Sequence, residues 1–215
     1  MTREPAPLTP QLELAERDVH VWVVPLDDPA KTRRRELAHL AQGRLLAAYL
    51  GVTPATLEFE RAPGGKPRLR GEPLQFNLSH SERLALVAVA RNLPVGVDVQ
   101  GPHPTAAKPW FAKRVCSPRE YEHFGGAPAP HELLRLWARK EAVIKARGAG
   151  SYVAVGEVDV LDDQLDDGWL CLDVALADAP GLLVDAAGFH AAVAVRLEPG
   201  GNEPPSVVVR TFAWS

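Results

Sequence analysis

The amino-acid sequence predicts an α+β fold made of two α/β lobes of similar size. The 215 residues are 46% hydrophobic and 24% charged, which is enough apolar surface for one large or two small cores. Apolar runs with the two-residue period of strands alternate with segments that have helical spacing. A segment with three prolines, 101–109, lies near the middle and is typical of a linker. We therefore predict an N-terminal lobe over residues 1–102 and a C-terminal lobe over residues 103–215.

The first half is predicted to form a strand, a helix and three more strands. Apolar residues in the segment 32–51 have helical spacing, and Gly51 is a typical helix stop. A PGGKP turn occupies residues 63–67. The predicted strands, which are apolar runs bounded by turn residues, are 18–26, 57–60, 84–90 and 94–100. A tight connection at residues 91–94 joins the last two.

The second half is predicted to begin with two helices and to end with four strands. The pattern of a capping box begins at Ser117 and favours a helix over 117–124. The segment 128–150 has the strongest helical pattern, with Pro130 near its start and Gly148 as its stop. The four predicted strands are 155–160, 169–176, 189–197 and 206–212.

Charge is distributed unevenly along the chain. Residues 1–147 carry 22 Lys+Arg and 16 Asp+Glu, whereas residues 148–215 carry 2 and 11. Basic segments at 31–35 and 135–147, together with Lys66, are suited to bind a small phosphorylated ligand. Charged helix faces that only meet solvent explain the same pattern, so this alternative stays open. Nucleic acid is disfavoured as a partner, because the net charge is −3 and no zinc-finger spacing occurs.

The cysteines and the first residues indicate the compartment. Cys116 and Cys171 form neither a CxxC motif nor a metal-ligand spacing, which favours a reduced protein. The first 18 residues lack the apolar core of a signal peptide, and no run of about 18 apolar residues is present to span a bilayer. We therefore expect a cytoplasmic protein without a membrane segment.

One carboxylate lies near the end of an apolar run, in the sequence VGVDV. Strand alternation places the valines at 95, 97 and 99 on one face, and Asp98 and Gln100 on the other. Gly96 has no side chain beside the carboxylate, so a ligand or ion would have room to approach. A solvated aspartate on the outer face of a half-buried sheet is an equally good interpretation from this segment alone.

The long helix carries a second candidate group. Trp137, Glu141 and Lys145 are spaced four residues apart and share one face, with Lys140 next to Glu141. An ordinary surface pair of glutamate and lysine has the same spacing and stabilises a helix by only a few tenths of a kcal/mol. From this helix alone, the ordinary pair is the favoured interpretation.

Four short motifs occur in a specific order. They are GKP at 65–67, FNLSHS at 76–81, VGVDV at 95–99 and WARKEAVIKARGAG at 137–150. In this order they resemble the Sfp-type 4′-phosphopantetheinyl transferases. The resemblance implies a pseudo-twofold pair of lobes with coenzyme A and Mg²⁺ in the cleft between them. It implies an enzyme that transfers 4′-phosphopantetheine from coenzyme A to a serine of an acyl, peptidyl or aryl carrier protein and releases 3′,5′-ADP.

The resemblance also implies roles for individual residues. Asp98 and Glu141 match the family's metal-binding carboxylates, and Glu141 with Lys145 matches its catalytic residues. Many members have a glutamate where this chain has Gln100, so the third metal ligand is expected to be a neutral amide, directly or through water. The residues expected to contact coenzyme A are Lys66, Ser79, His80, Arg34, Arg35 and Lys140.

Two other functions agree with part of the pattern. A coenzyme A-binding module without turnover would not need a carboxylate pair together with a lysine. An unrelated α+β nucleotide-processing enzyme would not explain the order of the motifs. We therefore expect a monomeric transferase whose carrier protein contacts the linker and the segment 108–124, with no nucleic acid or membrane partner.

Overall fold

A computed structural model of the chain describes residues 12–71, 74–148, 154–182, 184–197 and 204–214. Its helices are α1 (Lys31–Leu50), α2 (Pro109–Val115), α3 (Pro118–His123) and α4 (Pro130–Arg147). Its strands are β1 (Asp18–Pro25), β2 (Phe59–Arg61), β3 (Pro67–Leu69), β4 (Leu74–Ser81), β5 (Leu84–Arg91), β6 (Val95–Gln100), β7 (Gln164–Leu165), β8 (Trp169–Asp173), β9 (His190–Arg196) and β10 (Ser206–Thr211). This mixed content confirms the predicted α+β class.

The first sheet has the strand order β10-β1-β5-β4 and is covered on one face by α1. β1 is parallel to β10 and antiparallel to β5, which in turn is antiparallel to β4. Ala38, Leu45 and Leu46 of the helix pack on Val87 and Phe76 of the sheet. α1 ends where the sequence predicts, because Gly51 takes the left-handed backbone conformation with φ 67°.

The second sheet, β6-β9-β8-β7, is antiparallel, and α4 lies across β6 and β9. The backbone of α4 approaches β6 very closely at Gly96. A Cβ on this glycine would lie 2.1 Å from the carbonyl oxygen of Ala142 and 2.4 Å from the nitrogen of Ala146. The space that the sequence suggested for a ligand at Gly96 is therefore filled by the helix backbone.

The two sheets share a core between them. The valines at 95, 97 and 99 of β6 pack with Val19, Val21 and Val23 of β1, as the strand alternation predicts. Main-chain pairing crosses the predicted boundary after residue 102 in both directions, since β6 joins the second sheet and β10 joins the first. The division into lobes at residue 102 and their pseudo-twofold arrangement stay predictions.

One strand was missed and one predicted strand is wrong, for identifiable reasons. The FNLSHS segment, which was not predicted as a strand, forms β4. The tight connection predicted at 91–94 does join β5 to β6, and it leads from the first sheet into the second. Residues 155–157 form a 3₁₀ turn in place of a strand, and side chains from α3 and α4 bond the backbone of residues 158 and 160. The end of the predicted helix at 149–150 lies outside the described residues.

α3 and α4 begin at the residues that the sequence predicts. The side chain of Ser117 accepts from the nitrogen of Glu120, and the carboxylate of Glu120 accepts from the nitrogen of Ser117, which completes the capping box. Pro130 begins α4, and Gly148 ends it with φ 67°. None of the helices in the described part of the chain is long and apolar enough to cross a membrane.

Candidate functional site

β6 is joined to β4 by side chains in place of a main-chain ladder. Strand alternation places residues 77, 79 and 81 of β4 on the face toward β6. The three bonds run from Val97 N to Asn77 Oδ1 at 2.9 Å, from Val99 N to Ser79 Oγ at 3.4 Å and from Gly101 N to Ser81 Oγ at 3.0 Å. They satisfy the buried N–H groups on the outer edge of β6 and thereby fix the position of Asp98.

Asp98 is the centre of a buried polar cluster and is only 2% exposed. Its Oδ1 accepts from Ser79 Oγ at 2.6 Å and from Lys145 Nζ at 2.5 Å. Its Oδ2 accepts from Gln100 Nε2 at 2.6 Å. The structure therefore brings together four of the residues predicted from the motifs, which come from β4, β6 and α4.

Glu141 lies one helical turn before Lys145 and is half-buried. Burial raises the pKa of its carboxyl above the usual range, and the charge of Asp98 raises this pKa further, while Lys145 lowers it. The Glu141 carboxylate has no hydrogen-bond partner among the described residues. A carboxyl held in this way, beside a second carboxylate, favours a cation or a proton as its partner.

The donor set suits a hard cation. Carboxylate and amide oxygens are the ligands that Mg²⁺ prefers. Asp98 and Glu141 supply the charge, and Gln100 supplies an amide whose nitrogen faces Asp98, so direct ligation would require the amide to turn. No group of three or more His, Cys, Asp or Glu side chains within the described ranges is placed to hold a metal.

The positively charged side chain of Lys66 is mostly buried. Its Nζ donates to the carbonyl oxygen of Val95 at 2.6 Å and lies 3.5 Å from that of Ala146. Burial lowers the pKa of its ammonium to about 8. In the part of the chain that the structure describes, no carboxylate pairs with it. Lys66 and Lys145 line a cavity of about 210 Å³.

A second, more basic cavity of about 340 Å³ adjoins the first. Its charged and titratable groups are Lys31, Arg35 and His39 of α1 and His80 of β4. Burial lowers the pKa of both imidazoles, and nearby Arg35 lowers each further. Neither Lys31 nor Arg35 forms an ion pair with a described residue. Unpaired cations around a cavity favour an anionic ligand.

Two residues predicted to contact coenzyme A lie elsewhere. Arg34 donates to the carbonyl oxygens of Asp28 and Pro29, at 2.8 and 2.9 Å, and so closes the loop before α1. Lys140 is fully buried, and its ammonium lies 2.6 Å from the equally buried carboxylate of Glu120 and donates to Val158 O. It has no surface to offer a ligand, so we remove Lys140 from the site.

Sequence reasoning included Lys31 only as part of the basic segment 31–35, and it missed His39, Asn77 and Ser81. For Lys31 and His39 a signal was present, because Lys31, Arg35 and His39 are four residues apart and therefore share one face of α1. Asn77 and Ser81 alternate with Ser79, so the three side chains lie on one face of β4. This pattern could be interpreted only once the structure shows that backbone N–H groups at the edge of β6 need acceptors.

The sequence of this chain is similar to a family model and to known proteins. Residues 94–193 match the family model described as 4′-phosphopantetheinyl transferase superfamily. The chain is 31% identical over 221 residues to the 4′-phosphopantetheinyl transferase HetI of Nostoc sp. (strain PCC 7120), an alignment that covers 85% of this chain and 93% of the relative. The chain belongs to the 4′-phosphopantetheinyl transferase superfamily.

Other phosphopantetheinyl transferases match over shorter stretches. The chain is 33% identical over 120 residues to AcpT of Escherichia coli (strain K12), which covers 54% of this chain and 60% of the relative. It is 28% identical over 170 residues to the L-aminoadipate-semialdehyde dehydrogenase-phosphopantetheinyl transferase of Eremothecium gossypii, which covers 68% and 61%. The protein is therefore an enzyme, a 4′-phosphopantetheinyl transferase.

The region that the family model matches includes part of the candidate site. It contains β6 and α4, and thus both carboxylates, Asp98 and Glu141, together with Lys145. The basic cavity is built mainly from α1 and β4, which precede the matched region.

Proposed function

We propose that this transferase moves the 4′-phosphopantetheine group of coenzyme A to a serine hydroxyl of an apo acyl, peptidyl or aryl carrier protein. The reaction requires Mg²⁺ and releases 3′,5′-ADP. One observation carries the proposal: two adjoining cavities are lined by four cationic side chains, Lys31, Arg35, Lys66 and Lys145, and the last of these contacts Asp98 in the carboxylate cluster. Coenzyme A has phosphates at the nucleotide and in the pyrophosphate, which suits two neighbouring basic regions.

The outer cavity binds the nucleotide end of coenzyme A. Arg35 and Lys31 meet its phosphates as charged donors, and His80 can join them as a neutral or charged donor. Lys66 and Lys145 in the inner cavity hold the pyrophosphate. Ser79 acts indirectly, because its hydroxyl is already bonded to Asp98.

Asp98 and Glu141 would hold the Mg²⁺ ion, with Gln100 next to it. When bound, the ion neutralises negative charge on the pyrophosphate oxygens. The ammonium of Lys145 lies 2.5 Å from Asp98 Oδ1, so this lysine holds the carboxylate in place and can reach the same oxygens of the substrate. Buried electrostatic groups of this kind stabilise charge more strongly than they do in water.

Glu141 acts as the general base. Its carboxylate lies one helical turn from Lys145 and has no hydrogen-bond partner among the described residues, so it can accept the serine proton directly or through a water held by the metal. The serine oxygen attacks the β-phosphorus of coenzyme A, and the bond from this phosphorus to the oxygen bridging toward ADP breaks. The serine proton passes to Glu141, and the electron pair of the broken bond leaves with 3′,5′-ADP, whose new charge Lys145 neutralises.

The carrier protein docks beside this site on the surface of the linker and the segment 108–124. Trp110 is 55% exposed and Tyr121 is 39% exposed there, so both side chains are available to a partner. Both proposed metal carboxylates come from one chain, so we also propose a monomer. We place the reaction in the cytoplasm.

A mass measurement tests the transfer. Purified protein, coenzyme A, Mg²⁺ and an apo carrier protein are incubated, and the carrier is expected to gain the mass of one phosphopantetheine group. Carriers of the fatty-acid, polyketide and peptide types are each included, with Asp98→Ala as the inactive control. If coenzyme A binds but no carrier gains mass, a binding module replaces the transferase as the explanation.

A further inference from the structure

A fully buried ion pair joins α3 to α4. Glu120 and Lys140 are both 0% exposed, and the Lys140 ammonium lies 2.6 Å from Glu120 Oε2. Neither side chain has a surface that a ligand could reach, so neither takes part directly in the proposed reaction. A buried ion pair costs much desolvation, and apolar residues of similar volume are often as stable in its place. Stability alone therefore does not account for this pair.

The Glu120 carboxylate connects three parts of the chain. Oε2 accepts from the backbone nitrogen of Ser117 at 2.8 Å, and Oε1 accepts from the backbone nitrogen of Val160 at 2.9 Å. The Lys140 ammonium contacts Oε2 and also donates to the carbonyl oxygen of Val158. The start of α3, the backbone between Val158 and Val160, and α4 thus meet at one buried carboxylate.

These contacts connect the proposed carrier-docking segment to the proposed general base. The docking segment, 108–124, includes α2 and α3. The end of α2 packs closely on Gly156, where a Cβ would lie 3.1 Å from the carbonyl oxygen of Arg114. On the other side of the ion pair, Glu141 is the residue that follows Lys140 on α4. A short path of buried contacts therefore joins the docking segment to Glu141.

We propose that Glu120 and Lys140 are positioning residues, which hold the docking segment 108–124 at the distance from Glu141 that brings the carrier serine to the base. The inference rests on the proposed function, which supplies the carrier. Helices as short as α2 and α3, with seven and six residues, do not keep a fixed position without tertiary contacts. A displacement of about 1 Å is enough to slow a reaction that depends on proximity.

Neutralising the pair tests the proposal. The double variant Glu120→Gln with Lys140→Met removes both charges together, so neither is left buried without a partner. The amide oxygen keeps one acceptor for a backbone nitrogen, which favours a folded protein, but the link from α3 to α4 is lost. We expect the backbone amides of 108–124 to exchange hydrogen about tenfold faster than in wild type, measured by mass spectrometry.

The same double variant should lose transfer without losing coenzyme A. We expect kcat/KM for the apo carrier to fall about tenfold or more, because the carrier serine is no longer held at the base. The Kd for coenzyme A, measured by calorimetry, should stay unchanged, since the cavities proposed to bind it are lined by other residues. Glu120→Leu with Lys140→Met, which also removes the acceptor, should show the same effects more strongly.

Arg139→Met is the matched control. Arg139 precedes Lys140 on α4, is equally buried and donates to the carbonyl oxygen of Val160 at 3.0 Å. Its side chain forms no hydrogen bond or ion pair with a described residue of 108–124. We expect Arg139→Met to lower the thermal midpoint, while amide exchange in 108–124 and kcat/KM for the carrier stay close to wild type.

Each other outcome has a distinct meaning. If the double variant exchanges hydrogen or transfers no differently from Arg139→Met, the ion pair only stabilises the fold, and the inference is overturned while the proposed function stands. A rise in the Kd for coenzyme A equal to the loss of transfer would also overturn it, because the pair would then affect the whole site. If wild type transfers to no carrier, the proposed function fails, and the inference fails with it.

Discussion

Lys145 Nζ lies 2.5 Å from Oδ1 of Asp98, and this ion pair joins α4 to β6. Asp98 is almost fully buried, whereas the lysine side chain is 28% exposed. A buried carboxylate needs such a partner, because removing one member of a buried pair leaves an uncompensated charge. The contact thus assembles the site from two elements that are far apart in the sequence, before any ligand is bound.

Replacing either proposed metal carboxylate should abolish transfer without unfolding the protein. Asp98→Asn keeps the size of the side chain and an oxygen that accepts from Ser79. Glu141→Gln keeps the size of the side chain on α4. We expect transfer to fall by about two to three orders of magnitude in each variant, because a positioned charge in a phosphoryl-transfer site is lost. Steady-state transfer rates, with thermal midpoints as the folding control, provide the check. Near-normal turnover at saturating Mg²⁺ would show that the metal site is assigned to the wrong residues.

The helix bounds could be predicted because single residues determine them. Gly51 and Gly148 end α1 and α4 in the left-handed conformation, and the Ser117 capping box begins α3. β4 could not be predicted in the same way. Its polar residues are typical of a loop, and they are tolerated in a buried strand only because the edge of β6 supplies donors for them. The pairing of these polar residues with β6 depends on tertiary structure, so the sequence of β4 alone does not predict it.

The candidate site was predicted where motifs carried it and missed where only packing defines it. Lys140 shows the difference most clearly. Adjacent helix residues point about 100° apart, so Lys140 faces the buried carboxylate of Glu120 while Glu141 faces the cleft. Sequence adjacency to a functional residue was therefore a poor guide. Spacing by four residues along α1 would have been a better one for Lys31 and His39.

Gly96→Ala should damage both stability and activity. The added Cβ would lie 2.1 Å from a backbone oxygen of α4, so the helix would have to move away from β6. We expect a loss of about 1–3 kcal/mol or more in unfolding free energy, together with a large drop in transfer rate because the contact of Lys145 with Asp98 lengthens.

Gly43→Ala in α1 is the control for Gly96→Ala. Nothing lies within 4 Å of a Cβ built there, and alanine favours a helix interior by about 0.5–1 kcal/mol over glycine. Chemical denaturation should show opposite signs for the two variants. Equal changes in the free energy of unfolding would mean that the close approach of α4 to β6 does not require glycine at position 96.

Lys66 should make coenzyme A binding sensitive to alkaline pH. Its pKa is about 8 because burial disfavours the charged form, so the free enzyme loses this cation as the pH rises through 8. Phosphates bind the charged form better, so the Kd for coenzyme A should increase between pH 7.5 and 9.5. Lys66→Met should weaken binding at pH 7 and remove most of that increase. If the variant keeps the wild-type pH dependence, another group titrates in this range.

Gln100 provides the sharpest test of how this site binds its metal. Its Nε2 donates to Oδ2 of Asp98 at 2.6 Å, so the amide stabilises the carboxylate without adding charge. Gln100→Glu places a second carboxylate against Asp98, and like charges at this distance repel each other. We expect this variant to have a lower thermal midpoint than wild type in EDTA and to gain more from added Mg²⁺, because hard cations favour anionic oxygen.

The same variants should separate in a magnesium titration of the transfer rate. Gln100→Glu should reach its half-maximal rate at a lower Mg²⁺ concentration than wild type, and Gln100→Ala should be mild compared with Asp98→Ala. The amide contributes one hydrogen bond to Asp98, whereas the carboxylate contributes the charge that the ion needs. If Gln100→Ala is as inactive as Asp98→Ala, the amide binds the metal directly and two carboxylates are not enough to hold it.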